Sequence, residues 1–404
     1  MSPFSAIDLP PGWEAAATAI LAADGVTLVL GGPDCGKSTF CRYVLGLAGT
    51  AKKPIAFIDG DLGQSHLGPP TTLGFNLYPP RALDDLGLFP DTLYFIGQTS
   101  PPGKLLELVV GLRRLVEAAR SRGCPRIIVN TSGFIGGPAA LRLKMAKAEA
   151  LAPTLCLGLQ RHQELEPILT PLRQCCPHVL TLPLSDQART RLFTERRLYR
   201  QERFAAYFAS ASPQHLDLDK VIWLGFPFGQ GPHWPEAQKQ RLGQLLEILV
   251  LHAEAVSDSH IVIVGRRLTE SESALAGQEL GQKQIFWVIW GNLELRLVGL
   301  LDRNLLALGL GLLLPSDWER RQIFIQTPLP SRLLGQVKFC RLGKIRLGFD
   351  GQELPYIRSL IRIFGRLGQP LPQFLQANFL DCRRHDLADK FLEPAPDLNP
   401  FGRS

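Results

Sequence analysis

Between residues 25 and 212, short and nearly continuous apolar runs alternate with stretches in which apolar residues recur every three or four positions. A strand covered on both faces needs an unbroken apolar run, whereas a helix lying on a sheet needs only one apolar stripe. The alternation therefore predicts a parallel sheet with helices on both faces. The predicted strands are Val26–Leu30, Pro54–Ile58, Thr92–Ile96, Arg126–Asn130, Thr154–Leu159 and His178–Leu182. Pro101–Arg122 carries leucines and valines at helical spacing, with Arg113, Arg114, Glu117 and Arg120 on other faces, and so predicts an amphipathic helix. A second helix is predicted over Pro138–Leu151.

From about residue 213 the pattern changes to short strand-like runs separated by Gly, Pro, Asp and Asn: Val221–Phe226, His260–Val264, Ile285–Trp290, Leu293–Gly299, Arg321–Gln326 and Lys344–Gly348. This predicts a smaller β-rich domain over residues 213–354, with a helix over Pro235–Leu251 linking it to the first. Residues 1–24 read as an N-terminal segment and 355–404 as a C-terminal extension, with a helix over Tyr356–Arg366 and a loose Pro-rich tail.

The first predicted strand runs into Gly31-Gly32-Pro33-Asp34-Cys35-Gly36-Lys37-Ser38-Thr39, which fits the phosphate-binding pattern G-x-x-x-x-G-K-[ST] at every fixed position. The glycines let backbone N–H groups curl around a β-phosphate, and the following helix offers its positive N-terminus. Lys37 neutralises β/γ oxygens, and the Ser38 hydroxyl can ligate Mg²⁺. The expected fold class is therefore α/β, a P-loop NTPase sheet with helices on both faces followed by the smaller β-rich domain, and the expected ligand is a nucleoside triphosphate.

Composition changes this picture little. The 404 residues are 45% hydrophobic, enough for a sizeable core and more than one domain, and the net charge of +7 is compatible with an acidic partner such as nucleic acid. The eight cysteines show no C-x-x-C pair or Cys/His ligand spacing and read as reduced thiols. No basic segment followed by an apolar stretch and a small-residue cleavage site opens the chain, and the longest apolar runs are too short for a bilayer, so a cytoplasmic location is expected.

Three further segments fall at or just after predicted strands, or on a following helix. Asp59-Gly60-Asp61-Leu62-Gly63-Gln64 sets two carboxylates and an amide beside the phosphate loop, where an acidic group can hold a metal-bound water or accept the nucleophile's proton. Asp61 is the candidate base, Asp59 joins Ser38 as a candidate metal ligand, and Gln64 lies on the acceptor side; a hydrated Asp/Gly turn is the plainer reading. Thr131-Ser132-Gly133-Phe134 follows the fourth strand and leads to a helix bearing Arg142, Lys144 and Lys147. Its donors could meet a phosphodiester and Phe134 could stack, although Thr, Ser and Gly also serve there simply as caps. Arg189–Arg203 contains six arginines, of which Arg196, Arg200 and Arg203 share one helical face. Such a face is destabilised unless an anion arrives, as it would for a lid over a transferring phosphoryl group; a solvated basic face is the alternative.

Together these segments resemble the polynucleotide 5′-hydroxyl kinase family that includes the kinase subunit of the pre-mRNA cleavage complex, the nucleolar pre-ribosomal RNA processing kinase and archaeal relatives. The resemblance rests on Gly32–Thr39 with Asp34 in place, on the D-x-G-Q element Asp61–Gln64, on the Thr-x-Gly-aromatic clasp Thr131–Phe134 and on the arginine-rich lid from Arg196 to Phe208. It extends to Leu297–Asp302 and Gly309–Gly311 in the second domain. It implies that Lys37 holds phosphates, Ser38 the metal, Asp61 activates an RNA or DNA 5′-hydroxyl, Thr131 and Gly133 clasp the terminal nucleotide, and Arg196, Arg197 or Arg200 closes over the phosphoryl group. Phe134 stands where tryptophan is usual. The phosphate loop begins too early to leave room for the N-terminal β-rich domain of eukaryotic relatives, which suits a compact bacterial or archaeal type.

The expected activity is ATP- and Mg²⁺-dependent phosphorylation of the 5′-hydroxyl end of RNA, with DNA as a second acceptor. A non-catalytic ATP-binding scaffold of an RNA-processing assembly is the alternative. A GTPase lacks support, because the strand end that should carry the guanine motif reads Gly158-Leu159-Gln160-Arg161-His162. A small-molecule kinase does not explain the arginine lid, the basic charge and the second domain together.

Overall fold

The N-terminal segment, in which no element was predicted, forms helix α1 (Trp13–Ala22), whose Trp13 packs edge-on against Phe40 and donates from its indole N–H to the Pro183 carbonyl. The computed structural model describes residues 8–78 and 87–355, so the predicted helix Tyr356–Arg366 and the Pro-rich tail lie outside the described residues. After α1 come β1 (Gly25–Gly31), α2 (Lys37–Thr50), β2 (Ile55–Gly60), β3 (Thr72–Tyr78), β4 (Thr92–Phe95), α3 (Leu105–Ser121), β5 (Arg126–Thr131), α4 (Gly137–Leu151), β6 (Leu155–Leu159), α5 (Glu166–Cys175), β7 (His178–Leu182) and α6 (Phe193–Phe208).

All six predicted strands of this part are present and, with the unpredicted β3 among them, stand in the spatial order β4-β3-β2-β5-β1-β6-β7. Strands β2, β5, β1, β6 and β7 pair in parallel. The sheet is not wholly parallel, because β3 runs antiparallel between β2 and β4. Helices α1 and α2 cover one face, packing on Val29, Phe57, Ile128 and Leu157, and α3, α4 and α5 cover the other, packing on Val26, Leu28, Ile58 and Val129. Two layers of helix on near-continuous apolar strands form the buried frame that presents the C-terminal strand ends.

The remainder comprises β8 (Ser212–Asp217), β9 (Ile222–Leu224), α7 (Glu236–Leu246), β10 (Val250–Val256), β11 (Ser259–Val264), α8 (Glu270–Glu279), β12 (Gln284–Ile289), β13 (Arg296–Leu301), β14 (Ala307–Leu313), β15 (Gln322–Thr327), α9 (Ser331–Leu334), β16 (Phe339–Leu347) and β17 (Glu353–Leu354). The linking helix is shorter than predicted: Glu247 adopts a positive φ of 49°, and the chain then extends into β10. Strands β10, β11 and β12 make a small sheet of their own. The others continue the large sheet, because β14 pairs antiparallel with β4 through Ala307 and Leu93. Gly299 on β13 allows this joint: a Cβ there would stand 2.4 Å from the Phe95 ring. The Leu310 N–H donates to the buried Tyr207 hydroxyl at 2.8 Å, which fastens the end of α6 to β14. Among the described residues no helix is long and apolar enough to cross a membrane.

Candidate phosphoryl-transfer site

The phosphate loop leaves β1 at Gly31, where a Cβ would lie 2.3 Å from the Cys35 sulfur. Asp34 and Gly36 take left-handed conformations, φ 55° and 86°, which curl the loop before α2 starts at Lys37. Lys37 is buried, and its Nζ donates to the Gly32 carbonyl within the loop. Pro33 and Thr39 are exposed. The loop and the N-terminus of α2 together form an anion-binding concavity.

Beside it, at the end of β2, Asp59 is fully buried. Its Oδ1 accepts from the Asp61 N–H at 3.1 Å and from Asn130 Nδ2 at 3.0 Å, and its Oδ2 from the His66 and Leu67 N–H groups at 2.7 and 3.3 Å. Burial, and then the neighbouring charge of Asp61, push its carboxyl up to about 6 despite these donors. Asn130 also donates to Ser38 Oγ at 3.2 Å, so one amide links the phosphate loop to β2, while its buried Oδ1 has no partner. Asn130 was not singled out from the sequence. Its signal was a polar residue at the C-terminal end of an otherwise apolar strand, in register with Asp59 on one side and Val29 on the other. Ser38 and Asp59 bring a hydroxyl and a carboxylate oxygen together across the Asn130 amide nitrogen, the oxygen chemistry that a hard cation takes.

Asp61 folds its own turn, its Oδ1 accepting from the Gly63 and Gln64 N–H groups, each at 3.0 Å. That is the turn the plainer reading expected, and the half-buried carboxylate still lies at the strand ends.

The segment 131–134 divides its roles unexpectedly. The Thr131 hydroxyl is buried, donates to the Val29 carbonyl at 2.8 Å and accepts from Lys144 Nζ at 2.9 Å, so it faces inward rather than toward a ligand. Lys144 also donates to the Ser132 carbonyl at 2.8 Å. Ser132 Oγ is buried without a partner, which makes it, and not Thr131, the hydroxyl open to a new bond. Gly133 presses on the phosphate loop: a Cβ there would lie 2.6 Å from the Pro33 nitrogen. Phe134 is half-buried against the main core. Lys144 and Lys147, on the helix that follows this loop, are fully buried. Burial pushes both amines down, Lys147 to about 8, and Lys147 Nζ has no partner.

Helix α6 and the residues just before it lie on the phosphate loop and on the segment from Gln64 to Gly68. Arg196 Nη2 donates to Asp34 Oδ2 at 2.6 Å, the Arg191 N–H donates to the same oxygen at 2.9 Å, and Arg191 Nη1 reaches Gln64 Oε1 at 3.1 Å. The Tyr199 hydroxyl donates to the Ser65 carbonyl, and Arg203 to the His66 and Gly68 carbonyls. Arg200 is buried and paired with Glu353 on β17, and Arg197 is exposed and donates to the Glu353 carbonyl. The arginine face expected to need an incoming anion already has internal acceptors, supplied by two carboxylates and backbone carbonyls that come from distant parts of the chain. Arg196 and Arg191 are held at the phosphate loop, whereas Arg200 and Arg197 are directed to β17.

Residues 31–210 match the family described as mRNA cleavage and polyadenylation factor CLP1 P-loop. The chain is 30% identical over 330 residues to a polyribonucleotide 5′-hydroxyl-kinase of Pyrococcus abyssi, covering 81% of this chain and 89% of the relative. It is 29% identical over 349 residues to the Pyrococcus furiosus enzyme of the same name, covering 86% and 95%. The fold is similar to that of the solved wild-type Clp1p–Pcf11p complex, with a TM-score of 0.54 at 13% identity over 83% of this chain and 78% of that one.

Proposed function

Since this chain belongs to the CLP1 P-loop family of polyribonucleotide 5′-hydroxyl-kinases, we propose that it transfers the γ-phosphate of ATP to the 5′-hydroxyl end of RNA. The observation that carries this reading is the docking of α6 on the phosphate loop, through Arg196 and Asp34, together with that of Arg191, two residues before α6, on the D-x-G-Q turn, through Gln64. Triphosphate cradle, acceptor turn and guanidinium groups thereby share one edge of the sheet.

The loop N–H groups and Lys37 bind and orient the phosphates. Asp61 accepts the proton of the 5′-hydroxyl as its oxygen bonds to the γ-phosphorus and the bond to the β-phosphate oxygen breaks, leaving ADP. Arg196 offsets charge on the transferring group. In this state Arg197 and Arg200 brace the lid against β17, and reach the phosphoryl group only if α6 shifts. Ser132 Oγ and the Gly133 backbone hold the terminal nucleotide, and Phe134 offers its exposed edge to the base. Ser38 and Asp59, with Asn130 between them, are the residues that would hold Mg²⁺, which would supply positive charge to offset that of the phosphates.

The test is transfer of labelled γ-phosphate to matched 5′-hydroxyl RNA and DNA oligonucleotides by the wild type, Lys37→Ala and Asp61→Asn. Loss of transfer in both variants supports the assignment. Wild-type protein that retains ATP but yields no product supports a nucleotide-binding scaffold instead.

A further inference from the structure

In the β-rich part, two histidines and a glutamate that phosphoryl transfer does not use converge on one spot. His252 and Glu254 are two residues apart on β10 and therefore project from the same face, and a bridge between His233 and Glu254 brings in the third side chain. His252 Nε2 lies 2.7 Å and His233 Nδ1 3.7 Å from Glu254 Oε1, and the three donor atoms all lie within 4.8 Å of one another. A tetrahedral ion with bonds of about 2.0–2.2 Å needs its donors about 3.3–3.5 Å apart, within the spread found here.

The surroundings are those of a built site. Glu254 is fully buried and its carboxylate is aimed by backbone donors: Oε1 accepts from the Gly229 N–H at 2.7 Å, and Oε2 from Gln230 and Gly231 at 2.8 and 3.3 Å. The His252 ring is walled by Phe228 and Trp318, which limits competing water. The His233 side chain is 44% exposed, so the spot can be reached from solvent. Its outer nitrogen, Nε2, lies 3.0 Å from Arg321 Nη2 and 3.8 Å from Asp219 Oδ1. Because both Asp219 oxygens already hold Arg321, that guanidinium keeps its partner if His233 turns its outer N–H toward Asp219. A carboxylate behind a histidine is the usual orienting partner of a metal-bound imidazole.

We propose that His233, His252 and Glu254 bind one divalent transition-metal ion, Zn²⁺ by the chemistry of the donors, with a further coordination position open on the His233 side. Two imidazoles and one carboxylate suit zinc better than magnesium or calcium, whose sites are built from oxygen. The ion ties the Gly229–His233 loop to β10.

The full chain, stripped with EDTA and kept free of nucleotide, is titrated with Zn²⁺ by calorimetry and with Co²⁺ by visible absorption. Wild type should take up one equivalent, with d–d cobalt bands and no thiolate charge-transfer band in the near ultraviolet, which separates this site from the cysteines. His233→Asn alters an exposed residue and keeps the fold, as its metal-free circular dichroism melt checks; it should bind at least about tenfold more weakly. At equal zinc concentration the melting temperature of wild type should rise more than that of His233→Asn or Glu254→Gln. No binding by wild type, equal binding by wild type and His233→Asn, or a thiolate band would each overturn the proposal.

Discussion

Asp34 and Arg196, 162 residues apart in the chain, form an ion pair at 2.6 Å between the phosphate loop and the lid helix α6. The same carboxylate oxygen accepts the Arg191 N–H, so a single loop residue with a left-handed backbone secures the start of α6 over the phosphate site.

Arg196→Ala should therefore lower kcat by about 10³-fold, the scale of an arginine that stabilises phosphoryl-transfer charge. Asp34→Ala leaves the guanidinium in place but unanchored, and a misplacement of that kind should lower kcat by about 10²-fold at most. Single-turnover transfer of labelled phosphate to a 5′-hydroxyl RNA separates the two. Equal losses would mean that Arg196 acts only as the partner of Asp34.

Gly133→Ala puts a methyl group into the Pro33 backbone, so the phosphate loop must shift. Nucleotide affinity, measured by calorimetry without any acceptor, should fall about tenfold or more. Gly136→Ala has no atom within 4 Å of the added methyl and should bind nucleotide as the wild type does.

Lys147→Met should stabilise the protein at neutral pH. The folded amine titrates near 8, below its ordinary 10.5, so between these values the unfolded chain binds more protons and stability rises with pH. Below pH 8 the buried ammonium costs about 3 kcal/mol, which methionine removes. Denaturant unfolding should show a gain of about 1–3 kcal/mol at pH 7 that shrinks toward pH 10. A variant less stable than wild type at pH 7 would show that Lys147 has a structural partner.

Asp59 gives the opposite slope at acid pH. Its folded carboxyl titrates near 6 against 3.8 ordinarily, so in this window the folded state holds the extra proton, and its contribution to stability is lost as pH rises. In metal-free buffer, the unfolding free energy of wild type minus that of Asp59→Asn should fall by about 2 kcal/mol between pH 4 and 6 and level off only above about pH 7. A level difference throughout would mean that Asp59 is ionised when folded even at pH 4.

Much of the frame was legible because it depends on short-range pattern. The apolar runs became β1, β2, β4, β5, β6 and β7, and Pro101–Arg122 became α3, starting at Leu105 after a positive-φ Gly103. Strand β3, in which Leu73, Phe75 and Leu77 alternate with smaller or polar residues, was not predicted, because its antiparallel place between β2 and β4 is set by pairing with those strands and breaks the βα rhythm on either side. At the site, the helix bearing Lys144 and Lys147 was legible but the burial of both amines was not, since charge in a sequence says nothing about which helix face is covered. Thr131 was read as a ligand contact, since its inward bond depends on Val29, on the neighbouring strand β1 but about a hundred residues away in sequence.

The phosphate loop was determined by the sequence alone, because its geometry is local: an apolar strand, glycines at the positions that curl, and a helix N-terminus follow one another within a dozen residues. The partners of the lid were decided only by the tertiary structure. Arg196 meets Asp34, Arg200 meets Glu353 and Asn130 joins Ser38 to Asp59 because the strand order sets those groups side by side at one sheet edge. Residue periodicity specifies which face of an element is buried, but not which distant element comes to lie against it.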